Sequence, residues 1–320
     1  MTHRLDDKWI WDFWFARDAI DYHVFYLQAS RSLGNPNLRH WNASIGHAIS
    51  RDLLNWAVLP DALVPSSHED AWDNFTVWTG STIQHNGTWY MFYTGTNRAE
   101  KGLIQRIGLA TSDDLVIWKR FSGNPILKSD PRWYEMLNLD VWHEQAWRDP
   151  WVFKYNGTFH ALITARINYG HKSSRGVIGY ASSPDLLNWD IQAPITEPGE
   201  FGNMEVPQIV QIKDRWFIFF SVEYDKFSEL RIKRHGVKHQ TGTHYLVSDN
   251  PFGPYKYFSD DFLFGDEIGS IYSGKVIQNP RSEWVFMGCN QYAPGNSYIG
   301  EISDPAQIYI RPSGQITVPQ

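Results

Sequence analysis

The 320-residue chain has a single cysteine, Cys289, which excludes an internal disulfide framework. No run of apolar residues approaches the length of a transmembrane helix. The first residues, Met1-Thr2-His3-Arg4-Leu5-Asp6-Asp7, lack the apolar core of a signal peptide, so a cytoplasmic protein without a membrane partner is the expectation. Positive charge is also scarce. A net charge of −6 and a pI near 6.0 leave no basic footprint for nucleic acid. The one basic run, Arg231-Ile232-Lys233-Arg234-His235 with Lys238 and His239, reads as a solvated loop. No histidine pair with metal-ligand spacing is expected at the mouth of the fold, with His235, His239 and His244 expected in a loop, so neither metal nor cofactor is called for. Linkers, low-complexity segments and helical periodicity are missing too. Four triplets match glycosylation acceptors (Asn42-Ala43-Ser44, Asn74-Phe75-Thr76, Asn86-Gly87-Thr88 and Asn156-Gly157-Thr158), but patterns this short arise by chance.

What the chain has in abundance is aromatic: 16 Trp, 16 Tyr and 18 Phe. Such residues favour pleated, half-buried surfaces, and they also make platforms on which sugar rings stack. A turn-rich phrase recurs through them. It stands as Ala48-Ile49-Ser50-Arg51-Asp52-Leu53…Trp56, as Ala110-Thr111-Ser112-Asp113-Asp114-Leu115…Trp118, and as Ala181-Ser182-Ser183-Pro184-Asp185-Leu186…Trp189. Weaker copies are Leu246-Val247-Ser248-Asp249…Tyr255 and Glu301-Ile302-Ser303-Asp304-Pro305…Tyr309. The serines are 62, 71, 65 and 55 residues apart. A period of that size built of short strands means radial repetition of one unit.

Each repeat carries an aromatic strand: Tyr22–Tyr26, Trp89–Tyr93, Phe159–Ile163, Trp216–Phe220 and Trp284–Met287. Before each lies another strand-like run: Ile10–Phe15, Val77–Ile83, Trp151–Tyr155, Val206–Ile212 and Tyr272–Ile277. Asn86-Gly87, Asn156-Gly157 and Lys213-Asp214 punctuate three of the hairpins between them. The expected fold is all-β: residues 1–320 as one five-bladed β-propeller with four antiparallel strands per blade. Gln307–Val318 is expected to complete the last blade or close the ring against the first.

The copies differ where the chemistry should be. The first strand of each blade lies nearest the axis, and the starts of all five gather at one mouth. Ten residues before Tyr22 is Asp12, ten before Trp89 is Thr79, and ten before Phe159 is Asp149. Eleven before Trp216 is Glu205, and twelve before Trp284 is Tyr272. A structural ring has no reason to aim three acids at a narrow axis, where like charges raise one another's pKa and cost stability. Singly, each acid has an ordinary explanation: Asp149-Pro150 as a turn starter, Glu205 as a surface carboxylate. Asp12, enclosed by Trp11, Phe13 and Trp14, is costly unless used or paired. Together, three carboxylates in an aromatic funnel are what cleavage of a glycosidic bond requires.

These residues carry a family resemblance. Trp11-Asp12 with Trp14 resembles the Trp-Asp-x-Trp nucleophile segment of levansucrases (glycoside hydrolase family 68) and is related to the Trp-x-Asn-Asp-Pro segment of invertases and inulinases (family 32). Trp78-Thr79-Gly80-Ser81 is similar to their Trp-Ser-Gly-Ser segment, Arg148-Asp149-Pro150 to their Arg-Asp-Pro triplet, and Glu205-Val206-Pro207 to the invertase Glu-Cys-Pro. The phrase Gly46-His47-Ala48…Asp52-Leu53…Trp56…Leu59-Pro60…Ala62-Leu63 is also invertase-like.

The resemblance implies a retaining β-fructofuranosidase acting on sucrose or short fructans, with possible transfructosylation. In it Asp12 is the nucleophile, Glu205 the acid/base, and Asp149 an ionised stabiliser oriented by Arg148. Trp11, Trp14, Trp78 and Tyr272 would line the sugar pocket, and Thr79 would hydrogen-bond the nucleophile. Three departures stand out. The invertase Asn and Pro flanking the nucleophile are Trp11 and Phe13 here, the levansucrase Glu two before the acid/base is Asn203, and the β-sandwich that follows the invertase propeller has no counterpart. A small carbohydrate is therefore the expected partner. The alternatives are an inverting arabinofuranosidase or xylosidase like those of family 43, whose carboxylates stand further apart, and a sugar-binding propeller without turnover.

Overall fold

The computed structural model describes residues 2–236, 238–293, 295 and 297–319. Five antiparallel sheets follow one another along the chain. The first blade is β1 (Lys8–Arg17), β2 (Tyr22–Ser30), β3 (Ser44–Ser50) and β4 (Ala57–Leu63). The second is β5 (Thr76–His85), β6 (Thr88–Thr96), β7 (Gln105–Ser112) and β8 (Lys119–Arg120). The third is β9 (Trp147–Tyr155), β10 (Thr158–Arg166), β11 (Gly176–Ser183) and β12 (Asp190–Gln192). The fourth has β13 (Glu205–Ile212), β14 (Arg215–Val222), β15 (Thr241–Ser248) and an outer edge split between β16 (Lys256–Tyr257) and β17 (Phe264–Asp266). The fifth has β18 (Ile271–Gln278), β19 (Trp284–Tyr292), and a third layer split between β20 (Tyr298–Ile302) and β21 (Ala306–Gln307). The first strands β1, β5, β9, β13 and β18 touch their neighbours around the ring.

The recurring phrase is the turn from third to fourth strand, and its residue types are explained by hydrogen bonding. Ser50 Oγ accepts from the Asp52 and Leu53 amides and donates to the Asp52 carboxylate, which in turn accepts from the Leu54 and Asn55 amides. Ser112-Asp114 and Ser183-Asp185 repeat the pattern. Local side-chain acceptors of this kind hold backbone that sits in neither helix nor sheet. They hold Leu53, Leu115 and Leu186 at φ of 64°, 64° and 68° while burying each leucine between blades.

The aromatic strands supply the packing. Five apolar clusters fill the five gaps between neighbouring blades, each drawing side chains from both sheets it separates. Along β1 the sides alternate: Ile10, Phe13 and Phe15 face the fifth blade, whereas Trp11, Trp14 and Ala16 face the second.

Two expectations need correction. The ring is closed from the N-terminal side, where His3 pairs with Ile302 through both backbone bonds (3.0 and 2.9 Å), giving the fifth blade an outer edge. Of the C-terminal stretch only Ala306–Gln307 joins that blade; β22 (Tyr309–Ile310) and β23 (Ile316–Thr317) form a separate hairpin, packed by Ile316 and Val318 on Phe217 and Tyr245. The basic run is solvated, with Lys233, Arg234, Lys238 and His239 exposed, but it is not all loop: residues 231–235 lie in α1 (Glu229–His235), capped by Ser228. Arg231 is buried and bonded to Glu200, which Arg234 also contacts, while His235 and Lys238 lie 2.8 and 3.1 Å from Asp260 and Asp261. Acids close in the fold but remote in sequence thus pair with Arg231, Arg234, His235 and Lys238. His244 stands on β15, buried between the Phe220 and Phe262 rings.

Candidate active site

Each of the five inner strands breaks register once, at the same height. The shifts fall between Trp11 and Phe13, Trp78 and Gly80, Glu205 and Gln208, Tyr272 and Lys275, and opposite Leu162–Thr164 in β9. These are β-bulges. At four of them the bulged residue takes a left-handed conformation: Asp12 (φ 30°), Asp149 (57°), Val206 (48°) and Ser273 (53°).

A regular strand sends successive side chains to opposite faces, which in a blade means towards its two neighbours. The bulge changes this, and consecutive residues reach the same pocket: Trp11 with Asp12, Trp78 with Thr79, Arg148 with Asp149, and Glu205 with Val206. Counting back from the aromatic strands therefore merges two rings. Asp12, Thr79, Asp149, Val206 and Ser273 occupy the bulges; Trp11, Trp78, Arg148, Glu205 and Tyr272 precede them. Glu205 and Tyr272 belong to the ring of Trp11, not to that of Asp12.

The pocket has a volume of about 510 Å³, and Asp12, Asp149 and Glu205 all line it. Asp12 accepts a hydrogen bond from the Ser273 hydroxyl, whereas Thr79 Oγ1 is 3.5 Å away, a long contact. Ser273 is thus the nearer partner, and Thr79 the outer one. Asp149 accepts from the Thr164 hydroxyl (2.8 Å) and the Val206 amide (3.1 Å). Glu205 takes Arg148 Nη2 at 2.5 Å, the Tyr272 hydroxyl at 2.6 Å and Asn203 Nδ2 at 3.2 Å. Arg148 does not serve Asp149 alone, being 3.6 Å from it through Nε. Its terminal nitrogens go to Glu205, Glu144 and Gln105.

Of the residues expected to meet the sugar, Trp11, Trp78, Thr79, Arg148 and Tyr272 line the pocket. Trp14 does not. It is fully buried between the first two blades, stacked on Phe25, with its indole N–H donated to Thr82 Oγ1 at 3.0 Å. Past the Asp12 bulge the strand resumes strict alternation, which carries Trp14 down the blade and away from the mouth.

The pocket also holds residues that sequence reasoning passed over. Arg39, His40 and Trp41 come from a 3-10 turn (Pro36–Asn42) between β2 and β3. Glu144, Asn203, Glu223 and Lys226 come from segments flanking inner or second strands. An Asn35-Pro36 start marks a turn, but no local signal says that the turn folds over the axis. The indole N–H of Trp11 and the Asn203 Oδ1 are buried without a hydrogen-bond partner among the described residues. Both line the pocket, each left with hydrogen-bonding capacity for a ligand.

Burial dominates the electrostatics. It raises the Asp12 carboxyl, opposed by the Ser273 hydrogen bond, reinforced by the Glu205 charge, and opposed again by Lys275 and Arg39. Burial likewise pushes Asp149 up to about 7 against the pull of Arg148, with Asp12 and Glu205 adding to the rise. Tyr272, desolvated and facing Glu205, is held far above its ordinary value and remains a donor. Glu144 goes the other way: burial would raise it, but Arg148 and then His143 carry it below the ordinary value.

A stability prediction follows from Asp149. Its carboxyl binds a proton more tightly folded, at about 7, than unfolded, at 3.8, so the folded state holds the extra proton between those values. Stability from this group is full below about pH 4 and is lost as pH rises towards 7. Asp149→Asn removes that loss. Its melting temperature should exceed wild type by on the order of 5 °C at pH 7.5, for a ceiling of about 4 kcal/mol, and the gap should shrink towards pH 4. Thermal melts across pH 4–8 check this, and a pH-independent gap contradicts it.

The comparisons agree with this geometry. The family model for the glycosyl hydrolases family 32 N-terminal domain matches residues 15–312. An acid beta-fructofuranosidase of Solanum lycopersicum is 39% identical over 286 residues, covering 83% of this chain but 41% of its own length. The chain thus spans less than half of that relative. Among solved structures, an inulosucrase from Halalkalicoccus jeotgali bound to kestose superimposes with a TM-score of 0.81 at 20% identity, covering 99% of this chain and 89% of that one. The Bombyx mori beta-fructofuranosidase BmSUC1 gives 0.73 at 20% identity, covering 99% and 64%. At these identities the structures speak for the five-bladed fold, whereas the family model speaks for descent. The chain belongs to glycosyl hydrolase family 32, whose N-terminal domain it carries.

Proposed function

We propose that the chain is a retaining glycoside hydrolase of β-fructofuranosides, sucrose or short fructo-oligosaccharides, with transfer of the fructosyl group to sugar acceptors as a side reaction. The observation that carries this reading is the convergence of Asp12, Asp149 and Glu205 on one aromatic-walled pocket through matched bulges on three blades. Family membership and the 39% identical relative named for that activity support it.

In the first step an Asp12 oxygen attacks the anomeric carbon, forming a carbon–oxygen bond as the bond to the leaving sugar breaks. Glu205 gives its proton to the departing oxygen. In the second step Glu205, now a carboxylate, takes a proton from water or from an acceptor hydroxyl. The oxygen so freed displaces Asp12 and restores the original configuration. Asp149 faces the ring hydroxyls, and in its ionised form its charge opposes the positive charge that develops on the ring in both steps. Trp11, Trp78 and Trp41 wall the site, and the free Trp11 N–H and Asn203 carbonyl oxygen bind hydroxyls. Arg148 and Tyr272 position Glu205.

The test is product identification. The protein is incubated with sucrose, with a fructose-terminated trisaccharide, and with nitrophenyl arabinofuranoside and xyloside, and the first-formed anomer is followed by nuclear magnetic resonance. Release of β-fructofuranose before mutarotation is the expected result. Turnover confined to the arabinoside or xyloside, or first release of the α anomer, overturns the reading.

A further inference from the structure

One buried cation beneath the pocket has no part in the steps above. Lys275, on β18 just beyond the fifth bulge, is 1% exposed. An ammonium has three protons to donate, and burying one is costly unless they are used. One goes to the Val206 carbonyl oxygen, 2.7 Å away across to the fourth blade.

That partner is no ordinary peptide. Val206 follows Glu205, occupies the fourth bulge, and has a φ of 48°, a conformation strained for a β-branched residue. It is gripped from both sides. Its amide donates to Asp149 Oδ2 at 3.1 Å, and its carbonyl accepts from Lys275. Two residues before Lys275 stands Ser273, whose hydroxyl donates to Asp12. Lys275 is thus bonded to the peptide that follows Glu205 and holds Asp149, and it stands two residues beyond the serine that holds Asp12. The charges acting on it are Asp12 from the first blade and Asp149 from the third. On Asp12 it acts beside Arg39 and against Glu205, while Asp149 also faces Arg148.

We propose that Lys275 is a positioning residue for the reaction: its ammonium pins the Val206 peptide, and with it the bulge that aims Glu205, and it supplies the positive charge that lets Asp12 and Asp149 be ionised together. The proposal rests on the glycosidase reading for its effect on rate, but not for its effect on the carboxyls. Burial holds the ammonium down to about 8, so it is charged at neutral pH.

The experiment uses Lys275→Met, which keeps length and loses charge, and Lys275→Gln, which keeps a donor for the Val206 carbonyl and serves if the Met variant does not fold. Circular dichroism and a thermal melt establish folding. Carboxyl titrations by carbon-13 resonance in aspartate-labelled protein are then compared with wild type, and kcat and KM are measured on sucrose. The expected result is an upward move of about one pH unit in the Asp12 and Asp149 titrations. We also expect about a hundredfold loss in kcat, KM changing less than threefold, and the acid limb of kcat/KM moving the same way. A folded variant whose carboxyls titrate as in wild type overturns the proposal, whatever its rate. Wild-type protein that turns over no glycoside overturns the fructosidase reading instead, and the titrations still decide the role of Lys275.

Discussion

Asp12→Ala is expected to lower kcat on sucrose by roughly 10⁵-fold, the scale of losing a covalent nucleophile whose partners act with it as a unit. The fold should survive, because the substitution removes a buried carboxylate that burial already penalises. A second result separates a nucleophile from a merely helpful charge. The alanine leaves room for a small anion, so azide should restore part of the turnover and be captured as a fructosyl azide of inverted configuration. Steady-state rates with and without azide, with product identification, check this. Near-normal turnover, or a loss that azide never relieves, removes Asp12 from the role. The Ser273 hydroxyl and the bulge at φ 30° serve this assignment, since they place the Asp12 carboxylate at the pocket with one oxygen held by Ser273 and the other 3.5 Å from Thr79.

Glu205→Gln is the second large effect, and its signature lies in the leaving group. Proton donation to the departing oxygen contributes roughly 10²–10⁴-fold. Sucrose, whose leaving alkoxide is poor, should lose that full factor. A β-fructofuranoside with a nitrophenol leaving group needs no proton to depart, so its burst of nitrophenol should fall far less. Turnover after the burst should be slow, because the same residue activates water. Pre-steady-state kinetics on the two substrates give the comparison; equal losses on both would assign Glu205 to binding alone. Three donors hold this carboxyl (Arg148, Tyr272 and Asn203), so the glutamine must be shown to fold before the rates are read.

The site was unevenly legible in the sequence. Asp12, Asp149 and Glu205 stood out because an acid among tryptophans, or at a matched offset in several repeats, breaks the pattern its neighbours keep. Thr79 came with them at the same offset, and Trp78 and Arg148 as the residues just before Thr79 and Asp149. Trp14 misled because two tryptophans flanking an aspartate look alike in a string of letters, and only the bulge decides that one turns to the pocket and the other to Thr82. The offsets of eleven and twelve at Glu205 and Tyr272 held a hint that these residues stand one place earlier on their strands. Lys275 gave no sign at all, since a lysine in an apolar run reads as an exposed side chain until the blades close over it.

The sequence by itself determined what is local and repeated. The Ser-Asp-Leu turns, the hairpin signals and the aromatic strands act through neighbours a few residues apart, so each copy specifies its own blade and five copies specify the ring. Tertiary structure alone decided what depends on distance through space. It placed an N-terminal residue against the fifth blade, set Arg231, His235 and Lys238 against Glu200, Asp260 and Asp261, and brought Arg39 and Lys275 to bear on carboxylates far along the chain. It also decided protonation, because desolvation is the largest influence on Asp12, Asp149 and Lys275 and exists only once the blades have packed.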